Sequence, residues 1–243
     1  MRATLYTLSI SNPGHSARLM LAYKGVETKA VDLLPGMHPL LLWLLGFRRG
    51  TVPAMKLGGR RVEGSLEVAQ ALDRAVPEPP LYPSDPARRA AVEQAERWGE
   101  ADLQGVPRRI ARYALAHDTD LRTWLARDIA RLPLPRAVAI ANAPVARVLA
   151  ARVGANEAGA RAALAGLPAT LDHVDALLAD GTIGGEQPNA ADFQIAPSVR
   201  LLAAIPELAD ALAARPCDAW ARGILPDLPS MPRSRVTSEL TRT

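Results

Sequence analysis

The chain has 243 residues, with 29 Lys and Arg against 25 Asp and Glu, a formal net charge of +4, and a single cysteine, Cys217. One thiol excludes a disulfide framework and a cysteine-rich metal site and suits a reducing compartment, while the interspersed charges over 85–97 describe solvated helix faces, not a nucleic-acid footprint. The longest unbroken apolar run, Leu40 to Leu45, is far too short to span a bilayer, and the first residues lack a signal peptide's apolar core, so a cytoplasmic protein is expected.

Ala3 to Leu8 reads as a short apolar strand. Ser9-Ile10-Ser11-Asn12-Pro13-Gly14 is turn-rich, and a serine in such a run is more often a cap than a reactive group. Ser16 to Lys24 has helical spacing and ends at Gly25, a good C-cap; Val26 to Leu33 alternates as a second strand would. Pro39 to Leu45, with Trp43 at its middle, is apolar on all sides, which predicts a helix covered by some other surface.

Thr51-Val52-Pro53-Ala54-Met55-Lys56 reads as a strand reached through an X-Pro bond, followed by the Gly58-Gly59 turn, a second strand through Val62 and Glu63, and Ser65 at the mouth of a helix. A cis bond at Pro53 would turn the N–H and C=O of Val52 outward, where an extended peptide can add as a strand. Ser65 would offer a hydroxyl and helix N-terminal amides to a carboxylate. Together they describe a pocket for a small acidic peptide.

A proline-rich linker covers Pro77 to Pro86 and closes on Asp85 as a helix cap. Helices are expected at about 86–104, 107–117, 119–131, 135–151, 157–179, 190–204 and 207–222, with breaks at Pro107, Pro133, Pro135, Gly154 and Pro206. The resulting organisation is a first domain over 1–79, a linker over 80–87, an all-helical domain over 88–228 and a loosely held tail over 229–243.

The order β-α-β, connecting helix, β-β-α is that of a thioredoxin-like domain. With the motifs quoted above, residues 1 to about 79 resemble the N-terminal domain of a cytosolic glutathione transferase, and the helical remainder resembles that family's C-terminal domain. The match is nearest to the serine-type, theta- or zeta-like classes. Seven positions before Arg18, where those classes place their catalytic hydroxyl or thiol, stands Ser11; Ser9 and Ser16 are its competitors. The tyrosine-type classes place a phenol where this chain has Thr7, and Tyr6 misses that register by one, which in a strand reverses the face. The resemblance further implies glutathione contacts at His38, Val52, Pro53, Glu63 and Ser65, Glu63 being the acid nearest before the serine. Pro188-Asn189-Ala190-Ala191-Asp192-Phe193 is similar to the family's buried capping motif, with Asn189 as cap and Asp192 bonding back to the preceding loop.

Departures from the family pattern are Gly64 where an acid usually precedes the serine, Thr51 where a basic residue often precedes Val-Pro, and the apolar segment 39–45. The resemblance implies a cytoplasmic detoxification enzyme, a homodimer, with glutathione or a related low-molecular-weight thiol as co-substrate and no metal, nucleic acid or membrane. A hydroxyl at Ser11, aided by helix amides, would stabilise a thiolate against the ordinary thiol pKa near 8.5, and an apolar second site near Trp98, Leu103, Val106, Ile110 and Tyr113 would hold a hydrophobic electrophile. Two alternatives stay open: another glutathione-dependent reaction, such as ether cleavage, isomerisation or peroxide reduction, and a non-catalytic binding protein on the same scaffold.

Overall fold

The computed structural model of the chain describes residues 1–34 and 37–242; the last position of the expected tail lies outside the described residues. Two compact units form, one from Met1–Ala101 with Leu177–Pro197 and the other from Asp102–Ala176 with Ser198–Thr243.

In the first unit, β1 (Arg2–Thr7), β2 (Glu27–Asp32), β3 (Ala54–Leu57) and β4 (Arg60–Glu63) make a sheet of order β2-β1-β3-β4. β1 pairs parallel with β2 and antiparallel with β3, and β4 closes the hairpin antiparallel to β3. A parallel pair needs a crossover, supplied here by α1 (Asn12–Tyr23). The period of two along β1 sends Ala3, Leu5 and Thr7 to the buried face. Met20 and Leu21 of α1, Met55 of β3, and Val68, Ala69 and Leu72 of α3 (Ser65–Ala75) are buried in the same unit, and α1 and α3 touch. This is the thioredoxin-like arrangement.

Helix α1 starts four residues earlier than its apolar spacing suggests, because Ser11 caps it and Pro13 is pre-set for a first turn. Its far end is tied down by Lys24, which is 4% exposed and donates from Nζ to Asp73 at 2.9 Å, to the Val76 carbonyl at 2.7 Å and to the Pro77 carbonyl at 3.3 Å. The ammonium thus holds the C-terminal end of α3, where the helix dipole favours a cation. Short α2 (His38–Leu44) buries only Leu42, which packs with Phe47 and Ala54 beside Tyr6 and Val52; Leu40, Trp43 and Leu44 are exposed.

Helix α4 (Pro86–Trp98), capped by Asp85, runs on into a π-helical turn at Gly99–Leu103. Helices α5 (Gly105–His117), α6 (Thr119–Trp124, continued as a π turn over Leu125–Ile129), α7 (Pro135–Ala141), α8 (Ala143–Ala151), α9 (Glu157–Ala165), α10 (Leu167–Ala179), α11 (Ala190–Ala203), α12 (Ala209–Leu212), α13 (Pro216–Ile224) and α14 (Arg235–Thr241) follow. The expected helices over 135–151, 157–179 and 207–222 are each divided, next to Pro144, Pro168 and Pro216, since a proline removes one N–H and clashes with the turn before it.

The segment expected to be a loose tail is anchored within the second unit. Ser234 is 3% exposed, caps α14, donates from Oγ to Asp118 Oδ2 at 2.7 Å and from its amide to Glu207 Oε1 at 2.8 Å. Ser238 is a second anchor, its Oγ donating to Glu207 Oε1 at 3.2 Å. Among the described residues no helix is long and apolar enough to cross a membrane, and no group of His, Cys, Asp and Glu is placed to hold a metal ion.

Candidate functional site

The sheet topology gathers the singled-out residues at one end of the first unit. β4 runs parallel to β1 because each is antiparallel to β3, so the C-terminal ends of β1 and β4 and the start of β3 share an edge. The helices leaving β1 and β4, α1 and α3, therefore both present their N-termini there. Each N-terminus carries about half a positive elementary charge and first-turn amides with no intrahelical acceptor. An anion is favoured at this end of the sheet.

At the β1–α1 turn, Ser11 is half-buried and its Oγ accepts the Gly14 amide at 3.2 Å. A hydroxyl has one donor and two lone pairs, so this cap bond leaves the Ser11 O–H able to donate. Its competitors are placed differently. Ser9 is exposed in the turn, and Ser16 is fully buried, donating to the Asn12 carbonyl at 3.2 Å. Thr7 is also fully buried, and its Oγ1 lies 2.0 Å from where a Cβ on residue 14 would stand, so glycine alone lets α1 approach the end of β1 this closely. His15, which the sequence did not single out, lies one turn into α1. Burial and then the Arg18 charge hold its pKa below the ordinary value, so it is neutral near pH 7; its bond to the Ser9 backbone and the Asp32 charge oppose that shift.

On the β3 side the Val52–Pro53 bond is cis, and the Pro53 carbonyl accepts the Gly64 amide at 2.9 Å. The β1–β3 pairing ends at Tyr6 with Ala54, so Val52 lies beyond the last paired residue. The Gly64 bond brings the Val52 edge against the N-terminus of α3, where Ser65 is the first helical residue and 1% exposed. Gly64 has φ +103°, a left-handed conformation that favours glycine, and the Glu67 carboxylate occupies the space a Cβ would need. The absence of an acid before the serine thus has a backbone cause. His38 is half-buried at the start of α2.

Glu63, read from the sequence as a cofactor contact, turns its carboxylate to its own loop. It accepts the amides of Arg48 at 2.8 Å, Arg49 at 3.0 and 3.1 Å, and Gly50 at 3.0 Å. Arg49 in turn pairs with Glu67 in the first turn of α3 and donates to the Glu63 carbonyl at 3.2 Å. Arg49 and Glu67 were missed by sequence reasoning; the Arg48-Arg49-Gly50 run directly ahead of Thr51 was the available signal. A cavity of about 520 Å³ lies beside this cluster, lined in part by Phe47, Arg48, Arg61 and Glu67.

Of the residues expected to line an apolar second site, Trp98 is half-buried at the end of α4. In the second unit Ile110 is fully buried, as core side chains at helical spacing usually are, and Leu103 is equally enclosed. Tyr113 is half-buried, stacks on His117 with ring centroids 4.5 Å apart and packs against Ala116, Ala150 and Ala155. The Asn189 motif is formed as expected. Asn189 Oδ1 accepts the Ala191 amide at 2.9 Å, and Asp192 accepts the amides of Gly184 at 2.7 Å and Asn189 at 2.8 Å.

Comparison with known proteins adds a family. The family model described as "Glutathione S-transferase, N-terminal domain" matches residues 5–80, and "Glutathione S-transferase, C-terminal domain" matches residues 135–223. Glutathione S-transferase 1 of Dianthus caryophyllus is 34% identical over 102 residues, 41% of this chain and 46% of that protein, so the match spans about half the relative's length. Two solved structures share the fold across nearly the whole chain. A Tau class glutathione S-transferase from mango, Mangifera indica, has TM-score 0.61 and 18% identity, covering 99% of this chain and 96% of that one. A glutathione S-transferase-I bound with lactoylglutathione has TM-score 0.62 and 17% identity, covering 99% and 98%.

Proposed function

The chain belongs to the glutathione S-transferase superfamily, and on that premise we propose that it binds glutathione, or a related low-molecular-weight thiol, and activates its sulfur for attack on a hydrophobic electrophile. The observation that carries this reading is the convergence of two helix N-termini, Ser11 and Ser65 included, beside the unpaired end of β3 at Val52. A γ-glutamyl carboxylate is drawn to the first turn of α3 at Ser65. The cysteinyl backbone pairs as an added strand along Val52 and Pro53, with His38 bordering the ligand. The sulfur then lies toward Ser11 and the amides of α1.

A thiol of pKa near 8.5 is only about 3% thiolate at pH 7. The Ser11 hydroxyl donates to the anion and not to the neutral thiol to the same degree, so it lowers that pKa at about 1.4 kcal/mol per unit. The thiolate's electron pair forms the S–C bond, the electrophile's leaving group departs with the pair of the broken bond, and the thiol proton passes to solvent. Trp98 of the first unit remains proposed to border the electrophile, while Ile110 of the second unit is assigned to packing. The protein is proposed to be cytoplasmic and homodimeric, with exposed Leu40, Trp43 and Leu44 of α2 covered in the dimer.

A second reading, a thiol-binding protein without turnover, draws on the Ser11 cap bond to Gly14, which gives that serine a structural task of its own. Calorimetry with glutathione followed by turnover of a general aryl halide separates the two. Binding with turnover supports the transferase; binding without turnover of any electrophile supports the second reading.

A further inference from the structure

The loop that precedes Val52 is held by a device with no counterpart among the ligand contacts. Both oxygens of the Glu63 carboxylate are taken by three consecutive amides, those of Arg48, Arg49 and Gly50. Successive N–H groups of this kind form a nest suited to an anion, and Gly50, with φ +65°, permits the required turn. The Arg49 guanidinium extends the cluster, reaching the Glu63 carbonyl and the Glu67 carboxylate. One end of the loop is thus fixed to β4 and the first turn of α3, and the other continues through Thr51 into Val52 and Pro53.

We propose that Glu63, with Arg49, is a positioning residue of the thiol site: it sets Val52, where the ligand's peptide backbone pairs, against the N-terminus of α3, where its carboxylate sits. This rests on the proposed thiol binding. It follows from reach and occupancy. The two ligand-binding segments are joined directly by the Gly64–Pro53 bond, and on the loop side the Glu63 and Arg49 contacts bridge them. The four contacts from these three amides engage both carboxylate oxygens, so a ligand amine would compete with the loop for Glu63. Charge-assisted bonds to backbone amides are the stronger kind, so the clamp is well suited to hold an exposed loop still.

Glu63→Gln replaces one acceptor oxygen by an NH₂ that faces amide donors. Arg49→Met removes the second tie from an exposed position and serves where the first variant folds poorly. Three measurements on the full chain decide the question: glutathione affinity by calorimetry, steady-state turnover, and hydrogen exchange of amides 48–52. The expected result for Glu63→Gln is affinity about ten-fold weaker, a matching rise in KM, kcat at saturating glutathione within about two-fold, and exchange at 48–52 faster by about ten-fold or more. A residue that only stabilises the fold would lower the melting temperature without that KM-against-kcat split. Faster exchange with unchanged affinity overturns the proposal, as does an equal loss in kcat at saturation. Unchanged exchange in Glu63→Gln overturns the clamp alone. Absence of glutathione binding in the unaltered protein overturns the functional reading first, and the positioning role with it.

Discussion

Replacing Ser11 by alanine removes two interactions at once, and their magnitudes can be separated. The first is the cap. Ser11 Oγ accepts the Gly14 amide at 3.2 Å, and losing such a cap costs about 1 kcal/mol, or ~2–4 °C in melting temperature for a chain of this size. The second is the hydroxyl donated to the thiolate. A hydrogen bond to a charged group contributes about 1.5–3 kcal/mol, which corresponds to ~1–2 pKa units of the bound thiol. Titrating the ultraviolet absorbance of bound glutathione thiolate, with turnover measured across the same pH range, reads that second quantity. Ser11→Ala should raise the bound thiol's pKa by ~1–2 units and cut turnover about 10- to 100-fold at pH 6.5, with the deficit closing as pH rises past the free thiol's pKa. Ser11→Asp retains a good cap, so it should keep the melting temperature while raising the thiol pKa at least as far by like-charge repulsion. If the bound thiol titrates identically in the alanine variant, or if Ser9→Ala produces the shift instead, the assignment of Ser11 is refuted.

Ser65→Ala should weaken glutathione by about ten-fold with little change in kcat at saturation, because the contact is made equally in ground and transition states; calorimetry and steady-state kinetics check it. Glu96 is 2% exposed and its carboxyl is pushed up to about 8, first by burial and further by Glu100 and Glu93, against the opposing hydroxyl of Tyr82 at 2.9 Å and the Arg97 charge. The folded state therefore holds this proton more tightly than the unfolded one, so stability falls as pH rises from about 4.5 through about 8. Glu96→Gln, which keeps an acceptor for Tyr82, should be more stable than the parent at pH 7 by about 3 kcal/mol, with the difference vanishing toward pH 4.5 in denaturant titrations. Sedimentation at micromolar concentration should show a dimer that Trp43→Glu shifts toward monomer; a fully active monomer would move the exposed face of α2 from the dimer contact to the ligand.

The parts of this fold legible in the sequence are those set by local chemistry. Alternation along Ala3 to Leu8, the Gly58-Gly59 turn, the cap at Asp85 and the Asn189–Asp192 motif each follow from neighbours within a few residues, and each is present. Ser11 was recoverable as a site candidate by its distance from Arg18, but only burial separates it from Ser16, and burial depends on where β1 ends relative to α1. What was not legible depends on partners far along the chain. Glu63 looked like a ligand contact because the loop it clamps lies 13 to 15 residues away. Ser234 looked like part of a polar tail because its acceptor, Asp118, is 116 residues away. Ile110 was selected for apolarity, and apolarity alone does not distinguish a pocket wall from a core.

The central claim, that the convergent N-termini of α1 and α3 with the Val52 edge form a thiol site, is tested most directly by calorimetric titration of the unaltered protein with glutathione. The account predicts saturable binding of one glutathione per chain, with a Kd at or below about 1 mM, and a bound thiol that titrates below the free value near 8.5. No saturable heat at about 10 mM glutathione, or a bound thiol with an unshifted pKa, would contradict it.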